Sequence, residues 1–188
     1  MHQEENLNIV NNLFSKAVQH HVEHDCSAPP YENGVKLVEY LQKYNPTHIL
    51  EIGTGMGYTA VLLAKFSPEA KVETLEKNPE HVEVAKSFCT ENMVGDRVDV
   101  IEAQAEDFFT TTSKKYDFIF FDGFQVHYQF LPEYERLLKP KGILFLANNH
   151  LKSRTSDKFF EELYSSEKWV VLEKFADTTV AQRLDKNA

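Results

Sequence analysis

His48-Ile49-Leu50-Glu51-Ile52-Gly53-Thr54-Gly55-Met56-Gly57-Tyr58-Thr59 joins a short, nearly apolar β-prone run to three glycines at alternate positions and then to a helix-forming run. Alternate glycines let the chain turn tightly and let a ligand approach bare backbone, so a site belongs at the C-terminal edge of this first strand. About twenty residues on, Glu76 ends a second β-prone run, where a carboxylate accepts hydrogen bonds from both hydroxyls of a ribose. A nucleoside-bearing ligand is implied. Gly55-Met56-Gly57-Tyr58-Thr59-Ala60 also satisfies the dinucleotide pattern G-x-G-x-x-A, so two cofactor classes stay open on spacing alone. Charge separates them. Glu51 stands two residues before the first glycine, close to where an anionic pyrophosphate would lie, whereas the sulfonium and ammonium groups of S-adenosylmethionine would welcome it. The chain also shows no second domain to hold a hydride acceptor, and G-x-x-x-x-G-K-[ST], the triphosphate loop, is absent.

Working outward, short β-rich runs alternate with helical ones. Strands are expected over residues 47–52, 71–75, 98–101, 116–121, 142–146, 169–175 and 179–183. Helices are expected over 58–66, 79–91, 106–110, 126–138 and 156–165, and Asn78 before Pro79 is an N-cap followed by proline at the first helical position. The inner strands (HILEI, FIFF, ILFL) are almost wholly apolar, which is the pattern of a parallel sheet covered on both faces. The last two strands have only Ala176-Asp177-Thr178 between them and should form an antiparallel hairpin at the sheet edge. Upstream, helical periodicity covers 6–22 and 32–44, interrupted by Cys26-Ser27-Ala28-Pro29-Pro30. The expected fold is therefore α/β and Rossmann-like, with residues 1–45 as an N-terminal helical extension and 46–188 as the cofactor-binding domain. The extension is expected to cover the substrate or to make a homodimer contact.

Composition narrows the function classes. The 188 residues carry 20 Lys plus Arg against 29 Asp plus Glu, a net charge of −9, which lacks the broad positive field of non-specific nucleic-acid binding. Two cysteines, Cys26 and Cys89, are too few for a disulfide framework, and neither lies in a CxxC pair. The acidic, polar N-terminus is unlike a signal peptide, and no apolar run reaches membrane-spanning length. The expectation is a cytoplasmic protein without a membrane partner.

EIGTGMGYTAVLLA followed by VETLEKNPEHVEVAKSF resembles the class I S-adenosylmethionine-dependent methyltransferases and, more narrowly, the catechol and caffeoyl-CoA type O-methyltransferase family, over roughly residues 30–146. The resemblance implies a seven-stranded sheet with an antiparallel last strand. It implies that Glu51, Gly53, Gly55, Tyr58 and Thr59 line the methionine end of S-adenosyl-L-methionine, that Glu76 holds its ribose, and that Gln104 and Ala105 touch its adenine. It places Asp122 beside the transferred methyl, in contact with the cofactor and as a ligand of a divalent cation, Mg or Ca, with Asn148 and Asn149. Catalysis would fall to Asp122 and His127, and Phe124 and Tyr128 would touch a planar substrate. The reaction implied is methyl transfer to an oxygen of a small hydroxylated or aromatic molecule. Methylation of a modified RNA base is a second reading, against which the net charge counts, and a cofactor-binding protein without catalysis is a third.

Two departures from the family pattern have consequences. Gln125 stands where the family has a lysine, and Asn148 where it has a second carboxylate. Hard cations prefer anionic oxygens, so with one charge among Asp122, Asn148 and Asn149 metal binding should be weakened or lost. Gln125 cannot accept a proton, which leaves Asp122, His127 or His150. Methyl transfer still proceeds without a metal where positioning is good, because the sulfonium is already electrophilic.

Other residues admit both plain and chemical readings. His20, His21 and His24 with Cys26 offer metal-ligand chemistry, His20 and His24 sharing a helix face, but a polar helix end with histidines near the dipole explains them too. Ala28-Pro29-Pro30-Tyr31 resembles the Pro-Pro-aromatic motif of amino-group methyltransferases, yet stands far from the fourth strand, where that motif belongs, and is expected to be a turn. Cys89 is expected in the core with Val82, Ala85 and Met93.

Overall fold

The computed structural model of the chain describes residues 2–26, 29–149 and 151–185. In chain order the elements are α1 (His2–Glu23), α2 (Gly34–Tyr44), β1 (His48–Ile52), α3 (Tyr58–Lys65), β2 (Lys71–Glu76), α4 (Pro79–Glu91), β3 (Val98–Glu102), α5 (Ala105–Thr111), β4 (Tyr116–Phe121), α6 (Phe130–Leu137), β5 (Leu138–Leu146), α7 (Arg154–Ser165), β6 (Trp169–Phe175) and β7 (Thr178–Arg183). The seven strands form one sheet in the order β3-β2-β1-β4-β5-β7-β6. Strands β1 to β5 pair in parallel. β7 runs antiparallel to both β5 and β6, which is the terminal hairpin expected from the short 176–178 connection. Among the described residues no helix is long and apolar enough to cross a membrane.

Period-two alternation sorts the strands' side chains between two cores. Ile49, Phe118, Phe120 and Phe145 face α1 to α4, joined by Leu37, Leu41, Leu62 and Phe88. Leu50, Ile119, Phe121 and Leu144 face α5 to α7, joined by Phe109, Tyr134 and Phe159. Val10, Leu13 and Ala17 of α1 belong to the first core, so the N-terminal helices pack on the same apolar face as the sheet's own helices. Such double coverage explains why the central strands lack polar alternation.

Local chemistry sets several boundaries. Asn78 accepts from the Glu80 N–H at 3.0 Å ahead of Pro79, as expected of an N-cap. α6 begins at Phe130, four residues later than the periodicity over 126–138 suggests. Pro132 supplies the reason: in a helix from 126 it would lie in the interior, where it lacks a donor and clashes with the preceding turn, whereas in the first turn of Phe130–Leu137 it is tolerated. Residues 122–129 are thereby freed as a loop beyond β4. Cys89 is buried with Val82 and Ala85, but Met93 is 83% exposed, because α4 ends at Glu91 and Met93 takes φ 59°. The expected fourth core residue on that face is thus an exposed turn residue.

Candidate active site

The strand order reverses between β1 and its two neighbours, β2 and β4, so the helices leave opposite faces of the sheet there and open a crevice at the strands' carboxyl ends. A cavity of about 410 Å³ lies in that crevice. Its wall includes the glycine loop, the ends of β2 and β4, the start of α5, and a segment from the N-terminal helices.

The glycine loop is held from below and left bare above. A Cβ on Gly53, at φ +95°, would stand 2.6 Å from the Asp122 carbonyl oxygen, so only glycine lets β1 and β4 close to this separation. Gly55, at φ +54°, has nothing within 4 Å of where its Cβ would be, the open space a ligand needs to reach backbone. Glu76 fastens the loop. One carboxylate oxygen accepts from the Gly55 N–H at 2.9 Å and the other from the Asn78 N–H at 2.9 Å, and each oxygen keeps a lone pair for a further donor. Gln104 and Ala105 border the cavity, and the Gln104 side chain makes no capping bond to α5, so its amide is not consumed there.

Beneath this loop lie two acids. Glu51 has no exposure and does not border the cavity. Its Oε2 accepts from Thr74 Oγ1 at 2.5 Å, Thr74 pairs with Thr54 at 2.6 Å, and Oε1 is buried without a partner. Burial pushes its carboxyl up to about 7, against hydrogen bonds from Thr59 and Thr74. Glu51, expected to line the methionine end, lies beneath the cavity wall, where Thr74 bonds its carboxylate. Asp122 borders the cavity at the end of β4. Burial and the nearby Glu51 charge raise its carboxyl well above the carboxylate range, opposed by a hydrogen bond from Asn148. Among the described residues no cationic side chain pairs with either acid.

The aromatic residues divide. Phe124 borders the cavity and is 75% exposed, and His127 stands at the rim with its ring 5.4 Å from that of Phe130. Tyr128, expected to touch substrate, meets α7: Lys158 Nζ lies 3.9 Å from its ring centroid, and Glu162 raises the proton affinity of its hydroxyl. Tyr58 borders the cavity but packs its hydroxyl into α2, where a Cβ on Gly34 would meet it at 2.3 Å. Thr59 borders the cavity at the start of α3.

The donor set of the expected Mg or Ca site is not assembled. Asn148 turns its amide nitrogen, a donor, to Asp122 Oδ1 and to the Gly123 carbonyl, both at 3.1 Å. Asn149 Nδ2 donates to Thr179 Oγ1 at 2.7 Å, which ties it to β7. One carboxylate capped by a side-chain N–H does not fit a hard cation. Gln125, in the lysine's place, donates to the Leu151 carbonyl at 3.0 Å and clasps the loops after β4 and β5. His150 lies outside the described residues.

Sequence reasoning expected the N-terminal extension to cover the substrate or make a dimer contact, but named no meeting of that segment with α4. His20, Cys26, Pro30, Tyr31 and, from α4, His81 border the cavity. No spacing rule links His81 to Cys26 across 55 residues of chain, and the two meet only through the tertiary fold.

Residues 2–179 match the family model described as O-methyltransferase. The chain is 30% identical to a catechol O-methyltransferase B of Danio rerio over 128 residues, 63% of this chain and 48% of that protein. It is 32% identical to a catechol O-methyltransferase of Sus scrofa over 119 residues, 58% of this chain and 63% of that protein. The chain thus spans about half the length of the first curated relatives it matches. Its fold superposes on an O-methyltransferase from Bacillus cereus solved in complex with SAH, with a TM-score of 0.79 at 21% identity, covering 93% of this chain and 91% of that one. With its glycine loop, seven-stranded sheet and a family match over nearly all its length, this chain belongs to the O-methyltransferase family.

Proposed function

We propose that this chain is an S-adenosylmethionine-dependent methyltransferase that methylates an oxygen of a small hydroxylated or aromatic molecule. The observation that carries the reading is the pair of acids, Glu51 buried and Asp122 at the cavity wall above it: burial raises the proton affinity of both, the Glu51 charge raises that of Asp122 further, and among the described residues no cationic side chain compensates them. Such a pair is costly in the empty cavity and favourable beside a bound cation. The amide donor on Asp122 disfavours a metal ion in that role and leaves an organic cation. S-adenosylmethionine fits the rest of the wall: Glu76 would hold the ribose, Gln104 and Ala105 the adenine, Gly53 and Gly55 the path of the methionine, and Asp122 with Glu51 behind it the positive end. When bound, it supplies an electrophilic methyl on a charged sulfur.

The chain's own residues would do four things. Phe124 would lie against the face of a planar acceptor at the mouth. Pro30 and Tyr31, with α1 behind them, would exclude water from that end, which is the covering role assigned to residues 1–45. Gln125 would keep the two acceptor loops together through Leu151. Asp122, whose carboxylate binds a proton more readily than an ordinary one, would in its ionised form accept the hydroxyl proton, and His127 at the rim would pass it to solvent. In-line positioning accounts for the remainder.

Calorimetric titration with S-adenosylmethionine and, separately, NAD tests the reading, followed by transfer of labelled methyl to a panel of hydroxylated aromatics. Binding of the first, none of the second, and a labelled ether product are expected. NAD binding without S-adenosylmethionine binding would refute it.

A further inference from the structure

Beside the cavity lies a second constellation that the methyl-transfer reading leaves unused. α1 carries His20 in its last turns, the chain then reverses through Asp25 at φ 49°, and Cys26 returns with its N–H bonded to the His21 carbonyl at 3.1 Å. That turn sets Cys26 against His81 in the first turns of α4. Ligand atoms of His20, Cys26 and His81 all lie within 4.8 Å of one another, the one such group of three among the described residues. Cys26 Sγ stands 3.7 Å from His81 Nε2.

We propose that His20, Cys26 and His81 bind a zinc-class divalent ion whose fourth position opens to the cavity, so that the ion clamps the N-terminal segment onto α4. Distances support it. Zinc bonds of ~2.3 Å to sulfur and ~2.0 Å to nitrogen give a tetrahedral S···N edge of ~3.6 Å, close to the spacing seen for Cys26 and His81. Satisfaction supports it too. His20 Nε2 is buried and has no hydrogen-bond partner, an orphan that a metal would satisfy. Two imidazoles and a thiol select zinc, cobalt or copper over magnesium and calcium, which want oxygen. Three protein ligands with an open fourth place is the arrangement of zinc sites that engage water or a ligand, and all three residues border the cavity. His24, whose ring centroid lies 4.4 Å from that of His20, is exposed and does not border the cavity. On binding, the Cys26 thiol gives its proton to solvent and its sulfur to the ion. The site shares no residue with Asp122, so it stands or falls apart from the methyl-transfer reading.

The competing account is a weak thiol–imidazole hydrogen bond between Cys26 and His81. Titration of tag-free, chelator-stripped, reduced full chain with Co²⁺ separates the two. One equivalent should bind with a thiolate-to-cobalt charge-transfer band and the visible bands of tetrahedral cobalt, and Zn²⁺ should displace it. Cys26→Ser should abolish the charge-transfer band, His81→Gln should weaken binding at least tenfold, and Cys89→Ser, a buried cysteine elsewhere, should leave both unchanged. No charge-transfer band in the unmodified chain, or one that survives Cys26→Ser, would overturn the proposal. Zinc-edge absorption on the unmodified chain decides independently of any variant's folding: one sulfur and two imidazole neighbours support the site, and nitrogen and oxygen neighbours alone overturn it.

Discussion

Replacing Glu51 with glutamine should make the unliganded protein more stable at mildly alkaline pH while weakening its hold on a cationic ligand. Burial lifts the Glu51 carboxyl from 4.5 to about 7, which corresponds to about 3 kcal/mol at ~1.4 kcal/mol per unit. An acid whose proton affinity is higher in the native state binds more protons folded than unfolded, so between about 4.5 and about 7 stability falls as pH rises, and it stays lower above that window. Glutamine keeps the shape and an acceptor for Thr74 but carries no charge. Denaturant unfolding at about pH 5 and about pH 8 should therefore show a loss across that interval smaller by about 3 kcal/mol in Glu51→Gln than in the parent. Asp117 does not confuse the comparison. Despite partial burial, hydrogen bonds from Lys139, Thr47 and the backbone hold it down to about 2, so its contribution is lost only in stronger acid. Equal losses for parent and variant would refute the claim that Glu51 is a desolvated, uncompensated acid.

Glu76→Ala removes both the anchors of the Gly55 and Asn78 amides and the proposed ribose contact; hydrogen bonds to charged groups contribute ~1.5–3 kcal/mol each, so S-adenosylmethionine should dissociate at least tenfold more readily in calorimetry. Gly53→Ala places a methyl 2.6 Å from the Asp122 carbonyl at φ +95°, and unfolding measurements should show a loss of ~1–3 kcal/mol with the cofactor affinity falling alongside. Tyr128→Phe should leave the Michaelis constant for an aromatic acceptor unchanged, because the ring faces Lys158, whereas Phe124→Ala should raise it.

Much of the fold was legible because it depends on short-range pattern. HILEI and YDFIFF declare strands buried on both faces, and Asn78-Pro79 declares a helix start, each from local chemistry alone. The glycine loop and Glu76 were legible as a pair because the β-strand–helix–β-strand unit fixes their separation. Legibility failed where a side chain chooses between two directions that the backbone permits equally. Tyr128 could turn to the cavity or to α7, and Lys158 and Glu162 decide it. Asn148 could present oxygen or nitrogen to Asp122, and the adjacent Gly123 carbonyl, also an acceptor, favours nitrogen. His81 read as one more polar residue of α4, since nothing near it in sequence announces His20 and Cys26.

The central claim is that the acids below the glycine loop await a cationic sulfur donor. Asp122→Asn is nearly isosteric, and a unit charge ~4 Å away at an effective dielectric near 20 is worth ~4 kcal/mol, ample for a measurable change. Titrating parent and Asp122→Asn with S-adenosylmethionine and with its demethylated product, which lacks the sulfonium charge, is the most direct measurement. The account predicts that the variant loses at least tenfold in affinity for the charged donor and distinctly less for the uncharged product; equal losses, or none, would contradict it.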